Sequence, residues 1–296
     1  MAKQMERAVR PRRAAGNGSA PALAPEPPLQ TVAVDQVLPA DVLTSALTAA
    51  ETKAKLSIKD MLIRGFLAGA FLGFATALAV LVRTQSVGFA GAIIFPVGFV
   101  LLVLLGFELA TGNFALLPAG MAARRVTGMQ MLRNWSWVYI ANLAGCLVFA
   151  GLFYVALTNF GNIESGPVGE AIKTTAIAKV APYEALGATG WVVAIVKAIL
   201  ANWMVTVGVL MAFTSRSTIG RITAMWLPIM TFFALGFEHS IVNMFVIPAG
   251  MLLGADVSVG DWWMWNQIPV TLGNIVGGGL FTGLAMYATY TRKRGT

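Results

Sequence analysis

Histidine occurs once in this 296-residue chain, at position 239, with Glu238 before it and Ser240 after it. An imidazole exchanges protons near neutral pH, so a lone histidine beside a carboxylate is a candidate for handling protons. A nucleophile–base pair is a poor reading. Adjacent residues on a helix point about 100° apart, so Ser240 would not face His239, and there is no second histidine to act as base. Metal chemistry is disfavoured as well, because the chain offers one histidine, one cysteine (Cys146) and few carboxylates in its apolar stretches. A single cysteine also excludes an intrachain disulfide. No cofactor, no metal and no enzymatic activity are expected. The setting of His239 is more informative. It lies in GFEHSIVNMFVIPAG, a stretch otherwise suited to lipid. A titratable group at the centre of a membrane span costs roughly 2.5–3.5 kcal/mol, so a transport pathway is its default reading.

The composition supports a membrane setting. The chain is 57% hydrophobic and 11% charged, with a mean hydropathy of +0.73, too apolar for a soluble domain of this size. Six apolar stretches stand out, at about Phe66–Val82, Gly88–Pro118, Trp135–Thr158, Trp191–Ala212, Ile222–Leu253 and Ile268–Thr289. Most match the ~20 residues that span a bilayer. The second and fifth are too long and carry polar residues midway, at Thr111-Gly112-Asn113 and from His239 through Asn243. Each reads as two half-helices joined by a break, because backbone groups freed at a break are tolerated only against protein or a water-filled cavity. Gly112 is expected to supply backbone freedom at the first break. Glu108 and Glu238 are expected to serve the breaks structurally, accepting freed N–H groups there or lying near a break's positive half-helix end, with Asn113 and Asn243 beside them.

Lys and Arg number nine before the first span, three between the second and third, two between the fourth and fifth, and three after the sixth, against three on the opposite side. That bias places both termini in the cytoplasm of a multi-pass inner or plasma membrane protein. The net charge of +8 is then topology and contact with anionic membrane lipids. Nucleic acid is not an expected partner, since no basic segment is interleaved with stacking aromatics. Residues 1–37, rich in Ala, Pro and Arg, read as a disordered cytoplasmic extension without the apolar core of a cleaved signal. Residues 38–60 read as an amphipathic cytoplasmic helix with Val42, Leu43, Leu47 and Ala50 near one face, 61–290 as the six-span domain and 291–296 as a cytoplasmic tail.

The sequence also repeats. GFELATGNFALLPAG (Gly106–Gly120) matches GFEHSIVNMFVIPAG (Gly236–Gly250) at Gly, Phe, Glu, Asn, Pro, Ala and Gly with a constant offset of 130. NLAGCLVFAGL (Asn142–Leu152) likewise lies over NIVGGGLFTGL (Asn274–Leu284). The fold class that follows is an all-α integral membrane protein of two three-span repeats. An odd number of spans per repeat inverts one half relative to the other and brings both broken helices to the midplane. Gly145, Gly151, Gly277, Gly278, Gly279 and Gly283 in spans three and six would allow close packing within or between protomers.

GFELATGN and GFEHSIVNMFVIP resemble the two signature segments of the formate/nitrite transporter family, and ILANWMVTVGVLM resembles its fourth-span signature. The resemblance covers the chain from about Pro39 to its end. It implies an aquaporin-like protomer, a homopentamer, and a pore in each protomer for small monovalent weak-acid anions. Formate or nitrite leads; hydrosulfide, lactate or acetate is the alternative, as is a neutral-solute channel, although the paired Asn-Pro-Ala signature of aquaporins is absent. By motif alignment His239 falls on the family's central histidine, Thr111 on the threonine of the first break and Asn202 on the fourth-span asparagine. Lys179 matches the lysine at the outer mouth, with a loop after it about two turns longer than usual. Phe95 and Phe232 resemble the aromatic constriction residues, and Phe99 stands at a constriction position that is often leucine. Ala110 and Ala201 replace a common aromatic and a common cysteine. The implied mechanism passes the anion between apolar constrictions while a proton, supplied through His239 or the water around it, lets it cross as the neutral acid.

Overall fold

Local signals in the sequence start most of the helices. The computed structural model describes residues 35–291; positions 1–34 of the expected extension and 292–296 of the expected tail lie outside the described residues. Pro39, which has no N–H to leave unpaired, opens α1 (Pro39–Ala54). This helix buries Val42, Leu43, Ala46, Leu47, Ala50 and Ala54. Ser57 accepts the Asp60 N–H and starts α2 (Ile58–Gln85). Next come α3 (Gly88–Ile94) and α4 (Pro96–Leu104), which form one rod in two pieces: Phe95 between them keeps helical dihedrals, while Pro96 lacks the N–H that would continue the ladder. The chain then breaks and restarts as α5 (Ala110–Ala122).

A capping box of Thr127 and Gln130 opens α6 (Gly128–Thr158). After α7 (Gly166–Ala178) and the short α8 (Ala181–Ala185) come α9 (Ala188–Met211), α10 (Thr218–Ala234), a second break, and α11 (Ser240–Leu252). The last rod, α12 (Val259–Tyr290), carries two π-turns, Trp263–Gln267 and Gly279–Leu284. By length and composition α2, α6, α9 and α12 can each cross a membrane, and the α3–α4 rod, α10 and α11 are shorter apolar helices. No strand occurs among the described residues, only an isolated bridge between Gln36 and Ser215. Beside it the exposed Asp35 carboxylate accepts from the Ser215 hydroxyl and from the N–H groups of Ser217 and Arg216, which hold its pKa below the usual carboxylate value and pin the chain ahead of α1 to the turn before α10.

The breaks lie a few residues earlier than the sequence suggests. They are Leu105–Leu109 and Leu235–His239, so Thr111, Gly112 and Asn113 form the first turn of α5 and not the break itself. Gly112 has no positive φ. The left-handed residues are Gly106 (φ +70°) and Gly236 (φ +67°), one at each break, where a side chain would meet strain.

Small residues set the helix crossings. A Cβ on Gly69 or Gly145 would overlap backbone where α2 meets α6, and one on Gly273 or Gly277 would do so where α9 meets α12. Gly278 sits against Asn202 and Phe114, Gly279 against Phe114, and Gly283 against Ala115. Of the small residues noted in spans three and six, all but Gly151 are therefore occupied by packing inside the chain; Gly151 faces open space.

Candidate functional site

The two breaks are braced by one hydrogen-bonding arrangement, built twice. At the first, the Asn142 carboxamide receives the Ala110 N–H on its oxygen and donates to the carbonyls of Gly65 and Glu108. At the second, Asn274 receives the Ser240 N–H and donates to the carbonyls of Ala198 and Glu238. An amide can do this because it both donates and accepts; a carboxylate only accepts. Of the two roles expected of the glutamates, accepting freed N–H groups is not seen, since their partners are side chains; both stand just ahead of a half-helix N-terminus. Glu108 accepts from Lys53 at 2.8 Å and from Asn113 at 2.8 Å. Glu238 accepts from Lys179 at 2.9 Å, Asn243 at 2.8 Å, Tyr183 at 2.8 Å and Asn266 at 3.3 Å. Buried charge demands such partners: both carboxylates are about 4% exposed and each has an ammonium in contact. Asn134 and Asn266 complete the two networks, each accepting from the asparagine of its half, Asn113 or Asn243.

Asn142 and Asn274 stand out in the sequence as a matched pair, but their bracing role is visible only in the fold. Nothing in the sequence reading points to Lys53, Asn134, Asn266 or Tyr183. A polar side chain recurring at matched positions of two apolar spans is the signal that marks the asparagines.

Between the breaks sits a donor pair. His239 is the N-cap of α11; its Nδ1 accepts the Val242 N–H at 3.3 Å, and its Nε2 lies 3.0 Å from Thr111 Oγ1 at the start of α5. With Nδ1 accepting, the neutral ring carries its proton on Nε2 and donates to the Thr111 oxygen. The Thr111 hydroxyl hydrogen is then free to donate onward. Both residues are buried, at 2% and 0% exposure. Ser240 Oγ has no partner among the described residues and is not paired with His239, so no nucleophile–base couple forms. The N–H groups of Thr111, Gly112 and Ile241 likewise have no partner there, leaving the positive ends of two half-helices unneutralised.

Two cavities approach this pair from opposite ends. One, of about 710 Å³, is lined by residues of α7 and α8 together with Arg83, Lys179, Lys197, Phe232 and His239. The other, of about 450 Å³, is lined by residues of α1 with Lys53, Arg64, Phe99, Glu108, Gly112 and Arg221. Arg64 and Arg83 are nineteen residues apart on α2, about 28 Å along its axis, so the cavities open at its two ends. Between them Phe95 stacks on Phe233 (3.9 Å) and meets Phe232 edge to face (5.7 Å), while Phe232 lies 5.6 Å from the His239 ring. Phe99 closes the α1 side.

The structure thus brings together His239, Thr111, Phe95, Phe99, Phe232 and Lys179. It does not bring Asn202 to either cavity. Asn202 is fully buried and donates to the carbonyls of Thr111 and Asn274, with its own oxygen unpartnered among the described residues. What the arrangement offers is a hydroxyl donor backed by an imidazole, with a cation-lined cavity approaching from each end and aromatic rings beside it.

Comparison with known proteins agrees with this architecture. A family model for formate/nitrite transporters matches residues 40–288. A probable formate transporter of Methanothermobacter thermautotrophicus is 36% identical over 271 residues, covering 86% of this chain and 97% of that one. The formate channel FocA of Escherichia coli K12 is 32% identical over 285 residues, covering 88% and 96%. Among solved structures, an FNT family ion channel superposes with a TM-score of 0.71 at 23% identity, over 84% of this chain and 98% of that chain. A pentameric formate channel with formate bound gives 0.65 at 25% identity, over 79% and 98%. The matched length and the doubled break-and-brace construction lead to one conclusion: this chain belongs to the formate/nitrite transporter family.

Proposed function

We propose that the protein is a proton-linked channel for small monovalent weak-acid anions, with formate first among them. The observation that carries the reading is the His239 Nε2–Thr111 Oγ1 contact of 3.0 Å, set between two charged cavities and flanked by Phe95, Phe232 and Phe99. An anion cannot shed its water against these rings unless its charge is compensated or removed. The start of α5 and the Thr111 hydroxyl supply compensation, and a proton removes the charge. In this mechanism the anion accepts from the Thr111 hydroxyl, which the His239 Nε2–H backs, and takes a proton that the His239 ring has picked up transiently from water in a mouth, so that the ring returns to neutral; the neutral acid then crosses the rings. Asn202 acts as a positioning residue that holds the Thr111 carbonyl. Lys179, neutralised by Glu238, sets the wall of the outer mouth.

In this reading the chain crosses the membrane six times as two inverted three-span repeats, with both termini cytoplasmic and the α1 mouth facing inward. The twofold recurrence of the Asn142 and Asn274 braces supports the inversion. The relatives named as formate transporters favour formate as the cargo. The test is flux into proteoliposomes holding the purified full chain, with formate, nitrite, hydrosulfide, lactate and glycerol compared. Formate flux that rises with acid on the supply side is expected; glycerol flux with no anion flux would overturn the reading.

A further inference from the structure

Two side chains of α10 that the mechanism leaves unused, Trp226 and Phe233, both grip the turn of chain that carries Phe95. The last four carbonyls of α3 have no donor within their own helix. The Phe95 N–H serves that of Gly91, and the Trp226 indole N–H reaches across from α10 to that of Ile93 at 2.8 Å. Phe233 stands seven residues after Trp226, two turns on and along the same side of α10. Its ring lies flat on that of Phe95, with centroids 3.9 Å apart and planes 16° from parallel. α10 therefore holds the α3–α4 junction at two points, one on the backbone just before Phe95 and one on the Phe95 ring itself.

The junction needs such a hold. Pro96 interrupts the helical ladder there, and a kinked segment keeps one direction only when its neighbours over-determine it. On one side the neighbour is α2: a Cβ on Gly91 would overlap the Ala79 carbonyl, and one on Gly98 the Phe71 carbonyl, so backbone meets backbone on both flanks of Phe95. That contact fixes the rod but not the ring. The ring is held by α10, where Phe233 covers its face and Phe232 meets it edge on at 5.7 Å. Phe232 and Phe233 line the outer cavity, while Phe95 is 1% exposed and packed against both.

We propose that Trp226 and Phe233 are positioning residues that hold the Phe95 ring across the pathway and thereby set which monocarboxylic acids pass, admitting formate and holding back acids larger by a methyl group or more. The proposal rests on the channel reading above and adds the residues that fix its outer constriction. Trp226 acts through the backbone, by keeping the end of α3 in place, and Phe233 acts on the ring directly. Neither is hydrogen-bonded to His239 or Thr111. Their effect is therefore on the size of what crosses.

The experiment compares acetate with formate flux in proteoliposomes for Trp226→Phe and Phe233→Leu, each alone and combined with Phe95→Leu. Phe233→Met is the milder second change, and Trp203→Phe, which alters an indole of α9 stacked on Phe281, is the control. Each single variant should raise the acetate-to-formate ratio about two- to tenfold, the population shift that follows loss of one aromatic pair or one hydrogen bond. Phe95→Leu should raise the ratio by itself. On that background Trp226→Phe and Phe233→Leu should add nothing, because the ring through which they act is gone. A role confined to stability predicts a lower Tm with an unchanged ratio, and a role independent of Phe95 predicts the same change with and without the ring; either result overturns the proposal. If the wild type carries no anion at all, the channel reading fails separately. The ring is then read directly by fluorine NMR of the full chain with para-fluorophenylalanine in place of Phe95: the wild type should give one sharp line, and Trp226→Phe and Phe233→Leu should each give a second or exchange-broadened line. A single sharp line in either variant overturns the role proposed for that residue.

Discussion

His239 has two duties that point in different directions. Through Nδ1 it caps α11, and through Nε2 it addresses Thr111. A cap lost to a non-capping side chain costs about 0.5–2 kcal/mol, whereas asparagine is among the best caps. His239→Phe therefore removes both duties, and His239→Asn removes only the second. We expect His239→Asn to assemble with a Tm near that of the wild type while formate flux loses its acid dependence across roughly pH 5–8, the range in which an ordinary histidine changes charge. His239→Phe should lose the same dependence and also unfold at a lower temperature. Flux and thermal unfolding measured on both variants separate the duties, and an asparagine variant with the wild-type pH profile would remove His239 from the pathway. The bracing carboxamides carry a different kind of weight. Asn142 satisfies three buried backbone groups and Asn274 three more, and each group left unpaired costs roughly 1–3 kcal/mol.

At the scale of elements, the breaks depend on a turn that only glycine enters freely. Gly106 and Gly236 take φ values of +70° and +67°, and a Cβ at either position would meet nothing within 4 Å, so the constraint there is conformational and not steric. Forcing an L-residue into this region costs roughly 1–2 kcal/mol. Gly112 is ordinary helix, and a Cβ there would meet only Val209 Cγ2, at 3.1 Å. Gly106→Val and Gly236→Val should each lower the Tm of the purified protein, whereas Gly112→Ala should leave it close to wild type. Gly112 also lines the α1 cavity, so its effect belongs to flux: narrowing at that wall should reduce the formate rate modestly. Equal thermal losses at all three positions would contradict the assignment of the turns.

For the whole molecule, the outer surface is strongly apolar. Phe74, Leu152 and Leu280 are 59%, 64% and 55% exposed, which suits lipid or a neighbouring protomer and would be a liability in water. The glycines of spans three and six do not decide between these, since nearly all of them are buried in contacts inside the chain. We propose a homopentamer, the assembly implied by the family resemblance; the solved formate channel that the chain resembles is itself pentameric. Native mass spectrometry in mild detergent should give five chains; a monomer or a tetramer under those conditions would contradict it.

The sequence by itself determined the membrane class, the repeat and its register, because hydropathy and identical residues at a fixed offset are properties of the chain alone. It also placed His239, Thr111 and the phenylalanines near one another through motif resemblance. It misplaced the breaks, because polar residues in an apolar run look like the interruption itself, whereas the leading glycine of each repeated GFE is the residue that turns. The lysine partners of Glu108 and Glu238 were beyond reach. Lys53 and Lys179 lie in segments whose spacing to the glutamates differs between the halves, and only the folding back of α1 and of the turn between α7 and α8 brings them into contact. Tertiary structure also decided which polar residues meet at the centre. Counting by the 130-residue offset, His239 corresponds to Leu109 and Thr111 to Ile241, so the donor pair exists only where the repeats differ. The matched residues hold the breaks, since backbone geometry makes the same demand in both halves. The unmatched ones meet across the centre, a contact between residues 128 apart that no local pattern encodes.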